Sequence, residues 1–98
     1  MRCKNMREKT IEQKLVQSVR AAGGLALKFV SPGMAGVPDR LLLFPGGHIA
    51  FVELKAPGQK PRPLQLHRHD QLRNLGFKVF VLDSTEKIGE IIDEISPP

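Results

Sequence analysis

Apolar residues recur along this chain with two different periods, and segments rich in glycine and proline separate them. Between Thr10 and Gly23 the apolar positions lie three or four residues apart, which predicts a helix that begins at Thr10 and ends at a glycine pair. The short apolar runs 25–30, 40–44 and 48–55 predict three strands. The last two strands flank Pro-Gly-Gly, which is typical of a hairpin.

A second helix is predicted from Pro63 to Gly76, because proline is favoured in a first helical turn and glycine just after a last one. The leucines of this segment predict its buried face. The side chains expected to point inward are Leu64, Leu72 and Leu75. His67 and His69 lie two positions apart and do not share a helix face, so we expect no zinc pair and two histidines that face solvent or phosphate.

The remaining pattern completes an order of α-β-β-β-α-β-α. Segment 77–83 predicts a fourth strand, and isoleucines from position 88 onward predict a third helix that begins at Asp83 or Ser84. The strand–helix–strand run from 48 to 83 predicts a parallel crossover. Strands two and three are apolar at odd and even positions, so we expect both of their faces to be covered. The sequence therefore predicts an α/β fold with a small mixed sheet flanked by helices.

The composition says more about the size, compartment and partners of the protein than about its chemistry. The 98 residues predict one domain, 1–98, of which residues 1–8 are expected to form a mobile end. Cys3 is the single cysteine, so no intrachain disulfide can form. The single cysteine favours a reducing cytoplasm. No apolar run resembles a signal peptide or approaches a membrane span, so we expect no membrane partner. The net charge of +5 suits nucleic acid, although a merely soluble basic protein would share it.

Two acids and a lysine stand at the ends of the apolar strands. Glu53 and Lys55 are two apart and share a face of their strand. A two-residue hairpin turn would pair Asp39 with Leu54 on the wrong face. We favour a three-residue loop, which pairs Phe44 with His48 and hence Asp39 with Glu53. That register predicts two carboxylates about 5 Å apart.

Two carboxylates at such a short distance repel each other, so the sequence predicts a positively charged partner that neutralises them. Lys55 is one, and a divalent cation would be a better one. Hard oxygen ligands of this kind suit Mg²⁺ or Mn²⁺. Glu12 is a candidate third acid, at the border of the buried face of the first helix. Four basic residues follow the strands closely and are candidate contacts for a DNA backbone. They are Lys60, Arg62, Arg68 and Arg73.

These motifs, in this order, resemble a known family. "VPD", followed after an apolar hairpin by "ELK", is similar to the PD-(D/E)xK nuclease signature. The longer string "SPGMAGVPDRLLLFPGGHIAFVELKAPGQKPRPLQ" closely resembles the VRR-NUC family, the virus-type replication-repair nucleases. The resemblance implies a restriction-endonuclease-like αβββαβ(α) core and a stand-alone nuclease domain.

The resemblance also implies roles for the matching residues. Asp39, Glu53 and the backbone carbonyl of Leu54 are similar to the family's metal ligands, and Lys55 to its catalytic lysine. Glu12 and Gln65 are similar to a helix acid and a glutamine that line the site. The chain has Arg68 and His69 where some relatives have an aromatic residue.

The function implied is a metal-dependent endonuclease, a homodimer that acts on branched DNA such as four-way junctions during phage or prophage replication or repair. Alternatives are a flap or nicking nuclease without junction preference, a DNA-binding module that has lost catalysis, and a small partner in a larger repair complex. Each carboxylate alone has an ordinary structural explanation, as a turn residue or an edge-strand ion pair. Their combination favours the enzyme.

Overall fold

Three helices and four strands follow one another in the predicted order. A computed structural model describes the backbone of residues 2–98 and the side chains of residues 8–98. The elements are α1 (Arg2–Ala21), β1 (Leu25–Lys28), β2 (Arg40–Phe44), β3 (His48–Leu54), α2 (Pro63–Asn74), β4 (Lys78–Leu82) and α3 (Ile88–Ile95). A 3₁₀ turn, Thr85–Lys87, leads into α3.

The four strands form one mixed sheet in the order β1-β2-β3-β4. The first three are antiparallel, and β4 is parallel to β3 with α2 as the crossover, as predicted. Phe44 pairs with His48, so the loop between β2 and β3 has the predicted three residues. Gly46 and Gly47 in this loop have φ values of 89° and 82°, which explains the choice of glycine there.

The hydrophobic core lies between one face of the sheet and the helices α1 and α3. Helix α1 contributes Ile11, Leu15 and Val19, which are one helical turn apart and fully or almost fully buried. The sheet and α3 supply the other members. They are Leu42, Phe44, Ala50, Val52, Leu54, Leu82, Ile88, Ile91 and Ile95.

The opposite face of the sheet is covered only in part. Alternation along the strands turns Leu25, Leu27 and Ile49 toward this face, and all three are exposed. Helix α2 packs near β4. The prediction that both faces of strands two and three are covered holds at Phe51 and Glu53, which are buried on this face, but is wrong at Ile49, because the sequence supplies one crossover helix for four strands.

Two boundaries differ from the prediction. Helix α1 begins at Arg2 rather than Thr10, because the segment before Thr10 contains good helix formers. That segment has no apolar period, so the pattern of apolar residues did not predict it. Residues 1–8 are predicted to form a mobile end. Apart from Glu8, their side chains lie outside the described residues, so this mobility stays a prediction. Helix α3 begins at Ile88, after the 3₁₀ turn. Within residues 2–98, every helix is too short or too polar to span a bilayer.

Candidate active site

The hairpin register brings the two predicted carboxylates together. Arg40 pairs with Val52, and continuing the register by one residue places Asp39 opposite Glu53. The backbone N–H of Leu54 donates a 2.8 Å hydrogen bond to Oδ2 of Asp39. The carbonyl of Asp39 accepts a 2.9 Å hydrogen bond from the N–H of Phe29. Asp39 is thus fixed from both neighbouring strands, and the three-residue hairpin predicted from the sequence is confirmed.

Glu53 lies in an environment that disfavours its charge. The residue is 1% exposed. Burial, the charge of Asp39 and a side-chain hydrogen bond with Asp39 together raise the pKa of its carboxyl to about 8, while the charge of Lys55 opposes them. A carboxyl so placed needs a positive partner to ionise at neutral pH.

Lys55 supplies part of that positive charge. Its Nζ lies 3.8 Å from Oε2 of Glu53, and its side chain is 17% exposed. The predicted sharing of a strand face by Glu53 and Lys55 therefore brings the two groups into an ion pair. The charge of Lys55 offsets only part of what raises the pKa of Glu53, so ionisation of Glu53 beside Asp39 calls for a further positive partner.

Helix α2 contributes two polar side chains to the site. Nε2 of Gln65 donates a 3.0 Å hydrogen bond to Oε2 of Glu53. Nε2 of His69 lies 3.3 Å from Oε1 of the same carboxylate. His69 has no exposed surface, and burial lowers its pKa. The prediction that His69 faces solvent or phosphate is wrong, while His67 is exposed.

The prediction that leucines form the buried face of α2 is wrong. Leu64 is 44% exposed and Leu75 is 74% exposed, while Leu72 is only half-buried. Gln65 and His69 occupy the inward face instead. The reason is that this part of the sheet presents Glu53, and a buried carboxylate requires polar partners rather than leucine.

Helix α1 brings two acids to a pocket beside Asp39. The pocket has a volume of about 310 Å³. Its lining residues are Glu8, Glu12, Lys28, Phe29, Val30, Asp39 and Leu54. Glu12 is the predicted helix acid, but Oε2 of Glu12 accepts from Arg40 at 2.9 and 3.0 Å. Arg40 thus neutralises Glu12, whereas Glu8 adds to the negative charge that raises the pKa of Glu53.

Glu8 is a site residue that the sequence reasoning missed. Starting the helix at Thr10 left Glu8 in a supposedly mobile end. Its position four residues before Glu12 places both acids on one side of a continuous helix, which would have been the signal.

Two of the four predicted DNA contacts are engaged within the protein. Arg68 donates from Nε to the carbonyl of Ala35 at 2.8 Å. Arg73 donates from NH2 to the carbonyl of Val79 at 2.8 Å and lies 3.7 Å from Asp70. Lys60 and Arg62 are both exposed on the segment between β3 and α2. Nothing in this geometry tests a contact of any of the four with DNA, which stays a prediction.

The donor set is compatible with a hard divalent cation. Asp39 and Glu53 bring adjacent carboxylates whose mutual repulsion a cation would relieve. Among residues 8–98, no group of three or more His, Cys, Asp or Glu side chains is arranged to hold a metal. A cation here would therefore need additional oxygen ligands from backbone, water or substrate.

Comparisons with known proteins agree with this geometry. No protein-family model matches the chain. A protein named "Putative nuclease p44", from Acyrthosiphon pisum secondary endosymbiont phage 1, is 58% identical over 81 residues, which are 83% of this chain and 87% of that protein. A solved structure described as "VRR_NUC domain" has a TM-score of 0.83 and 35% identity, covering 89% of this chain and 95% of that one. The sheet topology, the paired carboxylates and these two relatives together show that this chain belongs to the VRR-NUC family.

Proposed function

We propose that this protein is a Mg²⁺- or Mn²⁺-dependent endonuclease that hydrolyses phosphodiester bonds in DNA. The observation that carries the proposal is the juxtaposition of Asp39, Glu53 and Lys55 at one end of the hairpin, where two carboxylates compete for a positive partner. Membership of the VRR-NUC family and the 58% identity with a phage protein named as a nuclease support the same chemistry.

A divalent cation would be held by Asp39 and Glu53, with the backbone carbonyl of Leu54 as a proposed third ligand. When bound, such a cation lowers the pKa of water and neutralises charge on a phosphate. The protein's part is to fix the ligands. The Leu54 N–H holds Asp39, and Gln65 holds Glu53, so neither carboxylate has to reorganise when substrate arrives.

Lys55 is proposed as the residue that stabilises negative charge as the phosphodiester bond breaks. Its ammonium lies on the same strand face as Glu53 and remains partly accessible, so a phosphate oxygen could approach it. Preorganised positive charge of this kind contributes most where charge develops in the transition state. Glu8 and Glu12 line the neighbouring pocket, where Glu8 is the candidate for an additional water-binding or metal-binding acid because Glu12 is paired with Arg40.

DNA is the proposed partner, held through its phosphates. Lys60 and Arg62 lie on the segment that follows the Lys55 strand, and the chain carries a net charge of +5. Contacts with phosphates supply affinity that depends on salt and little on sequence. Arg68 and Arg73 combine backbone contacts within the protein with exposure sufficient for a further contact.

A homodimer that acts on four-way junctions is the proposed working form. Two sites related by a two-fold axis would match the two symmetric strands of a junction. The exposed leucines of β1 favour the open sheet face as the dimer surface. Phage or prophage DNA replication or repair in the bacterial cytoplasm is the proposed setting.

The deciding experiment is cleavage of four-way, flap and linear duplex DNA of matched sequence, with Mn²⁺ or with chelator. We expect Mn²⁺-dependent cleavage that is fastest on the junction. Equal rates on all three substrates would favour the alternative of a nicking or flap nuclease. DNA binding without cleavage at any Mn²⁺ concentration would instead identify a catalytically inactive DNA-binding module.

A further inference from the structure

Helix α2 directs its only two buried side chains at a single carboxylate. Gln65 and His69 lie four residues apart, so they project from one face of the helix. Gln65 reaches Oε2 of Glu53 and His69 reaches Oε1. Both side chains are buried although both are polar, which is costly unless their hydrogen bonds are satisfied. The inward face of this helix is therefore built around Glu53.

The orientation of the Gln65 amide is fixed by the start of the helix. The backbone N–H of Arg62 donates to Oε1 of Gln65 at 2.8 Å, so this atom is the carbonyl oxygen. The NH₂ group must then be the one that faces Glu53. One oxygen of the carboxylate is thus held by a donor whose direction the helix cap determines.

The ring of His69 is constrained in a similar way. Nδ1 of His69 has no hydrogen-bond partner among the described residues, and the side chain has no exposed surface. Nε2 faces Oε1 of Glu53, and once Glu53 is ionised, as a metal ligand is, this oxygen only accepts. The tautomer that fits both observations carries its proton on Nε2 and leaves Nδ1 bare.

We propose that His69 is a positioning residue that fixes the plane of the Glu53 carboxylate by donating from Nε2 to Oε1. This inference rests on the proposed function, in which Glu53 binds the cation. With Gln65 on the other oxygen, both ends of the carboxylate are held and its rotation is blocked. Partners behind a ligand typically contribute about 10- to 100-fold to metal affinity or activity.

Two substitutions at position 69 separate hydrogen bonding from packing. His69→Phe keeps a buried ring and removes the donor, whereas His69→Gln places an N–H near the former Nε2. We expect His69→Phe to weaken Mn²⁺ binding in calorimetric titration by about 10- to 100-fold and to lower kcat with little change in KM for DNA. His69→Gln should restore most of both. His67→Gln, on the exposed side of the same helix, is the matched control and should behave as wild type.

Equal loss in His69→Phe and His69→Gln, or wild-type Mn²⁺ affinity and kcat in His69→Phe, would overturn the proposal. Nitrogen NMR of the Mg²⁺-loaded wild-type protein, in which Glu53 is ionised, gives a readout that needs neither a folded variant nor cleavage. We expect the His69 ring to show a protonated Nε2 and an unprotonated Nδ1. A proton on Nδ1 would refute the positioning role even if the protein is an active nuclease. A wild-type protein that neither binds Mn²⁺ nor cuts DNA would refute the nuclease proposal instead, whatever the tautomer.

Discussion

Glu53 shows how a single residue sets requirements for its neighbours. Its carboxylate is buried beside Asp39, and hydrogen bonds from α2 and the ammonium of Lys55 compensate only in part for the lost water. A carboxyl whose pKa is 4.5 in the unfolded chain and about 8 in the folded one binds more protons when folded. The metal-free protein should therefore lose stability as pH rises through that interval.

Asp39→Asn tests this charge conflict. Asparagine retains an oxygen that can accept the Leu54 N–H, but it removes the charge that raises the pKa of Glu53. Without metal, we expect the Tm of the variant to exceed that of wild type by a few degrees near pH 9. The difference should be smaller near pH 5, where Glu53 is protonated in both proteins. Cleavage should be abolished in the same variant.

Differential scanning calorimetry at the two pH values measures the effect. Asp93→Asn, on the exposed side of α3, removes an equal charge away from the site and is the control. A Tm change that is the same at both pH values, or wild-type cleavage by Asp39→Asn, would contradict the assignment of Asp39 as a ligand in conflict with Glu53.

Lys55→Ala separates turnover from metal binding. The lysine contacts Glu53 at 3.8 Å but offers no lone pair to a cation while charged. We expect kcat to fall by about 10²- to 10³-fold, as for loss of one stabilising group in a transition state. The Mn²⁺ affinity should stay within a few-fold of wild type in calorimetric titration. Lys87→Ala is the exposed control, and a loss of Mn²⁺ affinity matching that of Asp39→Ala would show that the role is wrong.

At the scale of elements, the strands were more predictable than the buried face of α2. The hairpin register followed from the Pro-Gly-Gly loop, because turn geometry fixes pairing, and the parallel pairing of β3 with β4 followed from the helical crossover. The buried face of α2 did not follow, since leucine is the ordinary choice for such a face. The partner of α2 is a distant carboxylate, which local periodicity cannot reveal. Glu8 was missed for a related reason, as a polar helix start carries no apolar period.

Gly24 provides a test of how closely the turn after α1 approaches the sheet. A Cβ at this position would lie 2.5 Å from the carbonyl oxygen of Leu43 and 2.9 Å from the ring of Phe44. We expect Gly24→Ala to lower the free energy of unfolding by about 1–3 kcal/mol, because backbone on a packed strand cannot move aside cheaply. Gly33→Ala has open space around it and is the control. Equal urea midpoints for the two variants would show that the turn after α1 adjusts freely.

At the scale of the whole molecule, the basic segment with Lys60 and Arg62 and the exposed leucines of β1 lie apart. Lys60 and Arg62 lie on the segment after β3, whereas the exposed leucines of β1 lie at the other side of the sheet. A DNA path and a dimer surface could thus coexist on one small domain. The sequence predicted the charge, but the exposed sheet face became visible only when the elements were assembled.

The salt dependence of DNA binding tests whether Lys60 and Arg62 contact DNA phosphates. Removing one side chain that binds a phosphate should reduce the slope of log K against log salt by about 0.9, so the double variant Lys60→Ala/Arg62→Ala should reduce it by about 1.8. Fluorescence anisotropy with a labelled duplex over a range of salt concentrations measures this slope. Lys14→Ala/Arg20→Ala removes the same charge from exposed positions on α1 and should change the slope less. An equal change for both pairs would mean that net charge, rather than this segment, determines binding.

The oligomeric state of the protein tests whether the exposed sheet face is a dimer surface. A 98-residue chain has a thin core, and the sheet face that carries Leu25, Leu27 and Ile49 would gain from a second copy that removes it from water. We expect light scattering at micromolar concentration to give a dimer. Leu27→Lys should shift it to monomer, since an unpaired ammonium buried at an apolar interface is strongly unfavourable.

Leu66→Lys makes the matched comparison, because Leu66 on α2 is 47% exposed and Leu27 is 43% exposed. The two variants should have similar Tm values at low concentration, where neither substitution disturbs the core. A two-fold dimer also predicts that the monomeric Leu27→Lys protein loses paired cuts on a four-way junction while it retains single nicks. A wild-type monomer that cuts linear duplex as fast as a junction would leave the nuclease activity intact and exclude junction resolution.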